Sequence, residues 1–272
     1  MDVRFTKMHG IGNDFIIIDA INQDLEWSDL MTKWCDRHFG IGADGVILAL
    51  PSRVADARMR IFNADGGEPE MCGNGIRCLG RFLWDKGLVR KNPMTVETLA
   101  GVLTLWLDVA DGEVRAVTVD MGRPRFAPEE IPVSSPDNFI TADLDGQAVR
   151  FCCVSMGNPH AVTFDCYPVD EAFYRFGPRM EHDPRLPRRA NVEFCRLRAD
   201  GGIDVRVWER GDGETLACGT GACAVVAAAA SQGLSPRETD VHLPGGVLRI
   251  RWADDGQIYM TGPAERVFEG EV

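Results

Sequence analysis

Apolar and polar residues alternate over 57–62 and again over 203–208, the period of a β-strand with one buried face. Apolar runs at 15–19, 45–50, 102–109, 114–120, 192–197, 247–251 and 257–261 predict further strands. Asp111-Gly112 and Asp255-Gly256 stand between successive runs, and such pairs favour tight hairpins and antiparallel pairing. Helical spacing is rarer. Residues 24–38 place Leu25, Leu30, Trp34 and Cys35 on one side, and 170–179 predict a short helix. Segment 76–86 carries Ile76, Leu79 and Leu83 beside Arg81 and Asp85, which are of exposed type. Segment 222–232 is almost all Ala and Val, and a helix apolar all round belongs inside a sheet. Prolines 124, 128, 132 and 136 break regular structure and predict an inter-domain link. Many strands and few long helices predict an α+β fold with mixed or antiparallel sheets.

The pattern repeats. Shifting residues 60–78 onto 206–224 needs no gap: Arg60 meets Arg206, Glu68 meets Glu214, and Cys72 meets Cys218. Gly12-Asn13 and Gly157-Asn158 keep nearly the same separation, and each precedes an apolar run. A period this long is not a solenoid repeat. It predicts two similar domains, 1–120 and 121–262, with tail 263–272 packing back on the first and a site between them.

Composition narrows the function. The net charge of −12 argues against nucleic acid or an anionic membrane as main partner. No apolar stretch approaches a membrane span, and the first residues lack a signal-peptide layout. Nine cysteines, an odd number, suit free thiols in a reduced cytoplasm. Cys35, Cys152, Cys153, Cys166, Cys195 and Cys223 are then expected as small core residues.

Candidate chemistry lies in the repeated turns Cys72-Gly73-Asn74-Gly75 and Cys218-Gly219-Thr220-Gly221, each expected to lead into a helix from Ile76 or Ala222. A helix N-terminus offers unpaired N–H groups and a favourable dipole, which lower a thiol pKa. Two such thiols on opposite faces of one carbon can remove a proton from one side and return it from the other. The backbone N–H groups would hold a carboxylate and the charge developing beside it. Other readings stay open. Two low-pKa thiols at one cleft could form a reversible disulfide, making the chain a redox-sensing binding module. A phosphate loop lacks its Lys-Ser/Thr pair, and zinc is disfavoured because five residues separate Cys72 from Cys78, outside the short Cys-X2-4-Cys spacing. Pyridoxal phosphate needs a lysine, and Lys7, Lys33, Lys86 and Lys91 lie outside both turns.

Further motifs are Met8-His9-Gly10-Ile11-Gly12-Asn13-Asp14-Phe15, Asn63-Ala64-Asp65-Gly66, Gly157-Asn158-Pro159-His160, Trp208-Glu209-Arg210-Gly211 and Thr261-Gly262-Pro263-Ala264. With both cysteine turns, the sequence resembles the diaminopimelate epimerase family over nearly its whole length. The resemblance implies two pseudo-symmetric domains, each a sheet wrapped around a central helix, with the active site in the cleft, and a homodimer. It implies interconversion of LL- and meso-diaminopimelate without pyridoxal phosphate, other cofactor or metal, in lysine and peptidoglycan-precursor synthesis. By position, Cys72 and Cys218 are implied as the acid/base pair, with Cys72 the donor and Cys218 the acceptor by family convention. Gly73, Asn74, Gly219 and Thr220 are implied to bind the α-carboxylate, and Glu209 to lie near the α-amino group. Arg210, Asn63, Asn158 and Asn191 are implied contacts to the distal end, Asn13 a further binding residue, and His160 and Glu209 tuners of the thiols. Gly45 stands where some members place a substrate-contacting Gln, and Phe268 where the family often has a Tyr in the dimer contact. A related racemase acting on histidine or proline is the nearest rival. Proline-type enzymes tend to carry His where Asn74 stands, and Arg210 with three Asn suits a charged distal group.

Overall fold

The computed structural model describes residues 3–21 and 28–272. The chain forms two compact units, one of residues up to Asp120 with Thr261–Val272, the other Met121–Met260. The fold is α+β.

In the first unit, β1 (Arg4–Gly10) pairs antiparallel with β2 (Asn13–Asp19). Helix α1 (Ser28–Cys35) leads to β3 (Gly45–Leu50), which runs parallel to β2 and antiparallel to β4 (Ala57–Asn63). Helix α2 (Gly73–Asp85) returns the chain to β5 (Met94–Thr98), parallel to β4. Then β6 (Gly101–Ala110) and β7 (Glu113–Asp120) complete an antiparallel meander. Asp111 and Gly112 both take positive φ, as a two-residue hairpin turn requires.

The helix predicted over 24–38 is shorter where it is described. It ends at Cys35 because the Asp36 carboxylate accepts the His38 and Phe39 N–H groups and turns the chain. Leu25 and the side chain of Leu30 lie outside the described residues.

The second unit repeats the topology. Strand β8 (Phe139–Leu144) pairs with β9 (Gln147–Ser155), which pairs antiparallel with β10 (Pro159–Thr163). After α3 (Asp170–Glu181), β11 (Asn191–Leu197) lies parallel to β10 and antiparallel to β12 (Ile203–Glu209). The short β13 (Gly213–Glu214) folds back on β12, and α4 (Gly219–Ser231) follows. Strand β14 (Glu238–Leu243) runs parallel to β12 and antiparallel to β15 (Gly246–Trp252). The last strands are β16 (Ile258–Gly262) and β17 (Glu265–Glu271), and β17 pairs antiparallel with β1 in the first unit. Thus β1–β2–β3–β4–β5–β6 corresponds to β9–β10–β11–β12–β14–β15, with the same alternation of parallel and antiparallel neighbours.

The repeat extends to side chains. Arg60 holds Glu68 through two hydrogen bonds of 2.7 and 2.9 Å, and Arg206 holds Glu214 at 3.1 and 2.7 Å. Helix α4 is buried from Gly221 to Ala229 and packs on β9, β10, β11, β14 and β15. Alanine lets the sheet approach closely while favouring the helix. Helix α2 has a polar side, where Arg81 reaches both Asp85 and the Ala264 carbonyl.

Three expectations change. Both central helices begin three residues earlier than the apolar runs suggest. Cys72 and Cys218 are extended, yet their carbonyls already accept from Ile76 and Ala222 at 2.9 and 3.0 Å, so the glycine-rich turns are the first helical turns. The proline segment is not a bare link: Ile131 and Val133 are buried in the second unit's core, and Arg125 bridges to Ser155. At Asp255-Gly256 only Gly256 takes positive φ, and the turn widens to an Ala253 N–H bond to the Gln257 carbonyl. Among the described residues, no helix is long and apolar enough to cross a membrane.

Candidate active site

Each unit presents one cysteine immediately before its central helix. In the first, the Cys72 thiol donates to Asn13 Oδ1 at 3.6 Å, and that oxygen also accepts from Asn74 Nδ2 at 3.2 Å. The Asn13 amide is held this way round because its Nδ2 donates to Asp44 Oδ2 at 2.8 Å. Asp44 is fixed in turn by Arg37 at 2.7 Å, and Arg37 and Lys7 hold Asp14. Asn74 Oδ1 accepts from Arg77, a fully buried arginine that also donates to the Gly73 and Pro263 carbonyls. Asn63 ends β4 directly opposite Gly45 of β3, and its backbone closes the turn with Gly67.

In the second unit the cysteine has different partners. Cys218 Sγ accepts the Gly221 N–H at 3.3 Å and lies 3.6 Å from Thr220 Oγ1. Asn158 Nδ2 donates to Thr220 Oγ1 at 3.3 Å, and Asn158 Oδ1 lies 3.0 Å from His160 Nε2. His160 Nδ1 is 2.7 Å from Glu193 Oε1, with both side chains fully buried. Glu209 sits at the end of β12, beside the hairpin to β13, and accepts a short hydrogen bond from Thr215. The amide of Asn191 is engaged by backbone: it donates to the Pro159 carbonyl and accepts the Arg210 N–H. The exposed Arg210 guanidinium donates to the Arg188 carbonyl.

The electrostatics correct one expectation. Cys218 is not a lowered thiol. Burial, followed by the charges of Glu209 and Glu193, pushes it well above the ordinary value, against the pull of Thr220 and the Gly221 N–H. A helix N-terminus favours the thiolate only by a modest amount, and desolvation with two carboxylates outweighs it. Burial likewise pushes the Glu209 carboxyl up to about 7, with Asp212 and Glu193 adding and Thr215 and Cys218 opposing. Elsewhere burial raises Cys35 to about 11 and Cys78, Cys152 and Cys153 to about 12, as fits inert packing residues. Cys166, expected in the core, is only partly buried, and the nine cysteines form no disulfide.

The sequence profile described as diaminopimelate epimerase matches residues 5–127 and 152–267. The chain is 50% identical to the diaminopimelate epimerase of Acetivibrio thermocellus, over 99% of this chain and 98% of that one. It is also 50% identical to that of Desulfitobacterium hafniense, over 98% and 97%. The chain belongs to the diaminopimelate epimerase family. That family is one of isomerases, and solved structures of lower identity share its fold. The Bacillus anthracis phenazine biosynthesis protein of the PhzF family superposes with a TM-score of 0.72 at 22% identity, covering 100% of this chain and 99% of that one. A probable proline racemase from Agrobacterium radiobacter K84 gives 0.73 at 18%, covering 99% and 92%.

Gly45 and Phe268, the two positions where the resemblance implied a different residue in some members, are both placed by the structure. A Cβ on Gly45 would stand 2.6 Å from the Phe62 carbonyl oxygen, so the backbone closes over the place of a side chain. Phe268 is 46% exposed on β17 and stacks edge-on with Phe5 at 5.9 Å. The structure brings Asn13 and Asn74 together at Cys72, and Asn158 and Thr220 together at Cys218. His160 reaches neither sulfur directly; it touches Glu193 and Asn158. Sequence reading missed Asp44, Arg77, Glu193 and Thr215. Only Glu193 left a signal: a lone acidic residue in the apolar run of β11.

Proposed function

We propose that the protein interconverts LL- and meso-2,6-diaminopimelate, using Cys72 and Cys218 as acid and base at one α-carbon. The observation that carries this reading is the paired cysteine: two helices of matching topology, each preceded by a cysteine, in a chain half identical to named epimerases end to end. One cysteine, as thiolate, takes the α-proton, and the C–H electron pair passes into the adjacent carboxylate. The other, as thiol, delivers its proton to the opposite face. The configuration inverts, the roles of the two sulfurs have exchanged, and the reverse reaction runs with donor and acceptor reversed.

The difficult step is forming a carbanion beside a carboxylate. The first N–H groups of a helix have no acceptor within it, so the Gly73, Asn74, Gly219 and Thr220 N–H groups can take the α-carboxylate and stabilise its growing charge. Glu209 accepts the α-ammonium. Arg210 with Asn63, Asn158 and Asn191 recognises the distal amino-acid end, where an Arg–carboxylate pair gives direction, and Asn13 lines the Cys72 side. The chemistry needs no cofactor and no metal. The exposed Val267 and Phe268 of β17 support a homodimer contact, and nine thiols without disulfides support a cytoplasmic setting.

Proton NMR of LL-diaminopimelate with the reduced protein in D2O tests the reading. Loss of the α-proton signal with appearance of the meso isomer supports it. A folded, reduced protein that exchanges no α-proton excludes it.

A further inference from the structure

Glu193 lies on β11 between Val192 and Phe194, fully buried, and among the described residues its Oε2 meets no hydrogen-bond partner. A buried carboxyl is costly unless something uses it. Its partners across the sheet, Val162 of β10 and Val207 of β12, are buried and apolar. The carboxyl also sits hard against α4. A Cβ on Gly221 would be 2.8 Å from Glu193 Oε1 and 3.1 Å from Cys218 Sγ, so glycine at 221 makes room for both.

With the Asn158 amide oriented as it stands, the hydrogen bonds run one way. Asn158 Nδ2 donates to Thr220 Oγ1, so Asn158 Oδ1 faces His160 Nε2, which must carry hydrogen. His160 Nδ1 faces Glu193 Oε1, and one proton lies between them. Thr220, already accepting from Asn158, has its own hydrogen to give to Cys218 Sγ. From His160 Nε2 onward each donor points toward the sulfur. With the other histidine tautomer, Nε2 and Asn158 Oδ1 would be two acceptors in contact. The amide would turn over, and Thr220 would give its hydrogen to Asn158 instead.

We propose that Glu193 is a positioning residue for proton transfer at Cys218: it holds His160 with Nε2–H toward Asn158 and thereby aims the Thr220 hydroxyl at Cys218 Sγ. The kinetic part rests on the epimerase reading; the tautomer part does not.

Two measurements test it on the full chain. Nitrogen-15 NMR of the histidine rings reads the tautomer directly. We expect His160 protonated at Nε2 in the wild type and in E193Q, whose amide can donate to Nδ1, and a shift toward Nδ1–H in E193L. A wild-type ring protonated at Nδ1 alone overturns the proposal.

Epimerisation kinetics read the consequence. E193L should lose about 100-fold in kcat, the scale of a misplaced group, with KM little changed, while E193Q stays within about tenfold of wild type. T220V should lose a similar factor, and E193L/T220V no more than the larger single loss, because both act through one chain. Additive losses overturn the proposal. If E193L does not fold, E193Q decides: a loss as large as that of T220V overturns it. An inactive wild type would remove the proposed function and leave the tautomer result standing.

Discussion

The Gly221 N–H donates to Cys218 Sγ at 3.3 Å, whereas the matching Cys72 has no such cap and donates its own hydrogen to Asn13 Oδ1. Two thiols related by an internal repeat therefore sit in different hydrogen-bond surroundings. Cys72 gives its hydrogen to an amide oxygen, while Cys218 receives the Gly221 N–H and lies beside the Glu209 carboxyl. Burial and two carboxylates then keep the proton on Cys218 until something changes its surroundings. A substrate ammonium taken up by Glu209 is such a change, because it neutralises one of the charges holding the proton there.

Neither thiol should substitute for the other. Cys72→Ala and Cys218→Ala should each lower the epimerisation rate by about 100- to 10,000-fold, the usual contribution of a general acid or base. Cys218→Ala, which loses a capping acceptor, should cost about 0.5–2 kcal/mol in stability, and Cys72→Ala, which makes no side-chain cap bond, less. The D2O assay measures the first and urea denaturation the second. Wild-type turnover in either variant would sink the two-base reading.

Glu209 should leave a mark on stability as well as activity. Its carboxyl is pushed from 4.5 up to about 7, first by burial. Between those values the folded chain holds a proton that the unfolded chain has lost. The stabilisation is complete below about 4.5 and disappears as pH rises through about 7. Glu209→Gln removes this titration, so the wild-type-minus-variant difference in urea midpoint should fall across that window. A difference that stays flat with pH would contradict the raised carboxyl.

How much of this was legible in the sequence depends on what each residue answers to. Several strands around the two helices were readable because period-two alternation reports burial on one face, and 203–208 kept its pattern through β12, but β1, β5, β8, β9 and β14 were not foreseen. The Ala-Val composition of α4 announced its own burial. Helix starts were misplaced because a glycine-rich turn looks like a breaker, while here Cys72 and Cys218 are the caps and the glycines are already helical. The candidate cysteines were visible as a duplicated motif. Asp44 and Glu193 were not, because they have no counterpart pattern: their importance comes from what they touch, Asn13 in one case and His160 in the other. The raised Cys218 thiol was hidden for the same reason, since two of its causes lie 9 and 25 residues away along the chain.

Gly45 tests whether the glutamine that the resemblance implies for some members could fit at this position. A Cβ there meets the Phe62 carbonyl oxygen at 2.6 Å, and backbone cannot move aside as a side-chain end can. Gly45→Gln should therefore force β3 from β4 and cost about 1–3 kcal/mol, the scale of overpacking. It should not lower KM for diaminopimelate, because Asn63 sits opposite on the displaced pair. A variant with unchanged melting temperature and lower KM would refute this account of the substitution.

Gly177 lies within α3, where alanine should gain about 1 kcal/mol in helix propensity. Here the gain is outweighed. A Cβ would stand 2.5 Å from Trp208 Cδ2 and 2.7 Å from Cγ and Cε3. The indole cannot retreat, because its N–H donates to Glu181 Oε2 at 2.9 Å and its ring packs edge-on against Phe173 and Tyr174. Gly177→Ala must shift α3 against β12, at about 1–3 kcal/mol for overpacking. We expect a net loss of stability, read as a lower urea midpoint with unchanged slope. Trp208 immediately precedes Glu209, so kcat should fall along with it. A midpoint equal to or above wild type would mean that the indole yields, and that the aromatic cluster does not brace the end of β12.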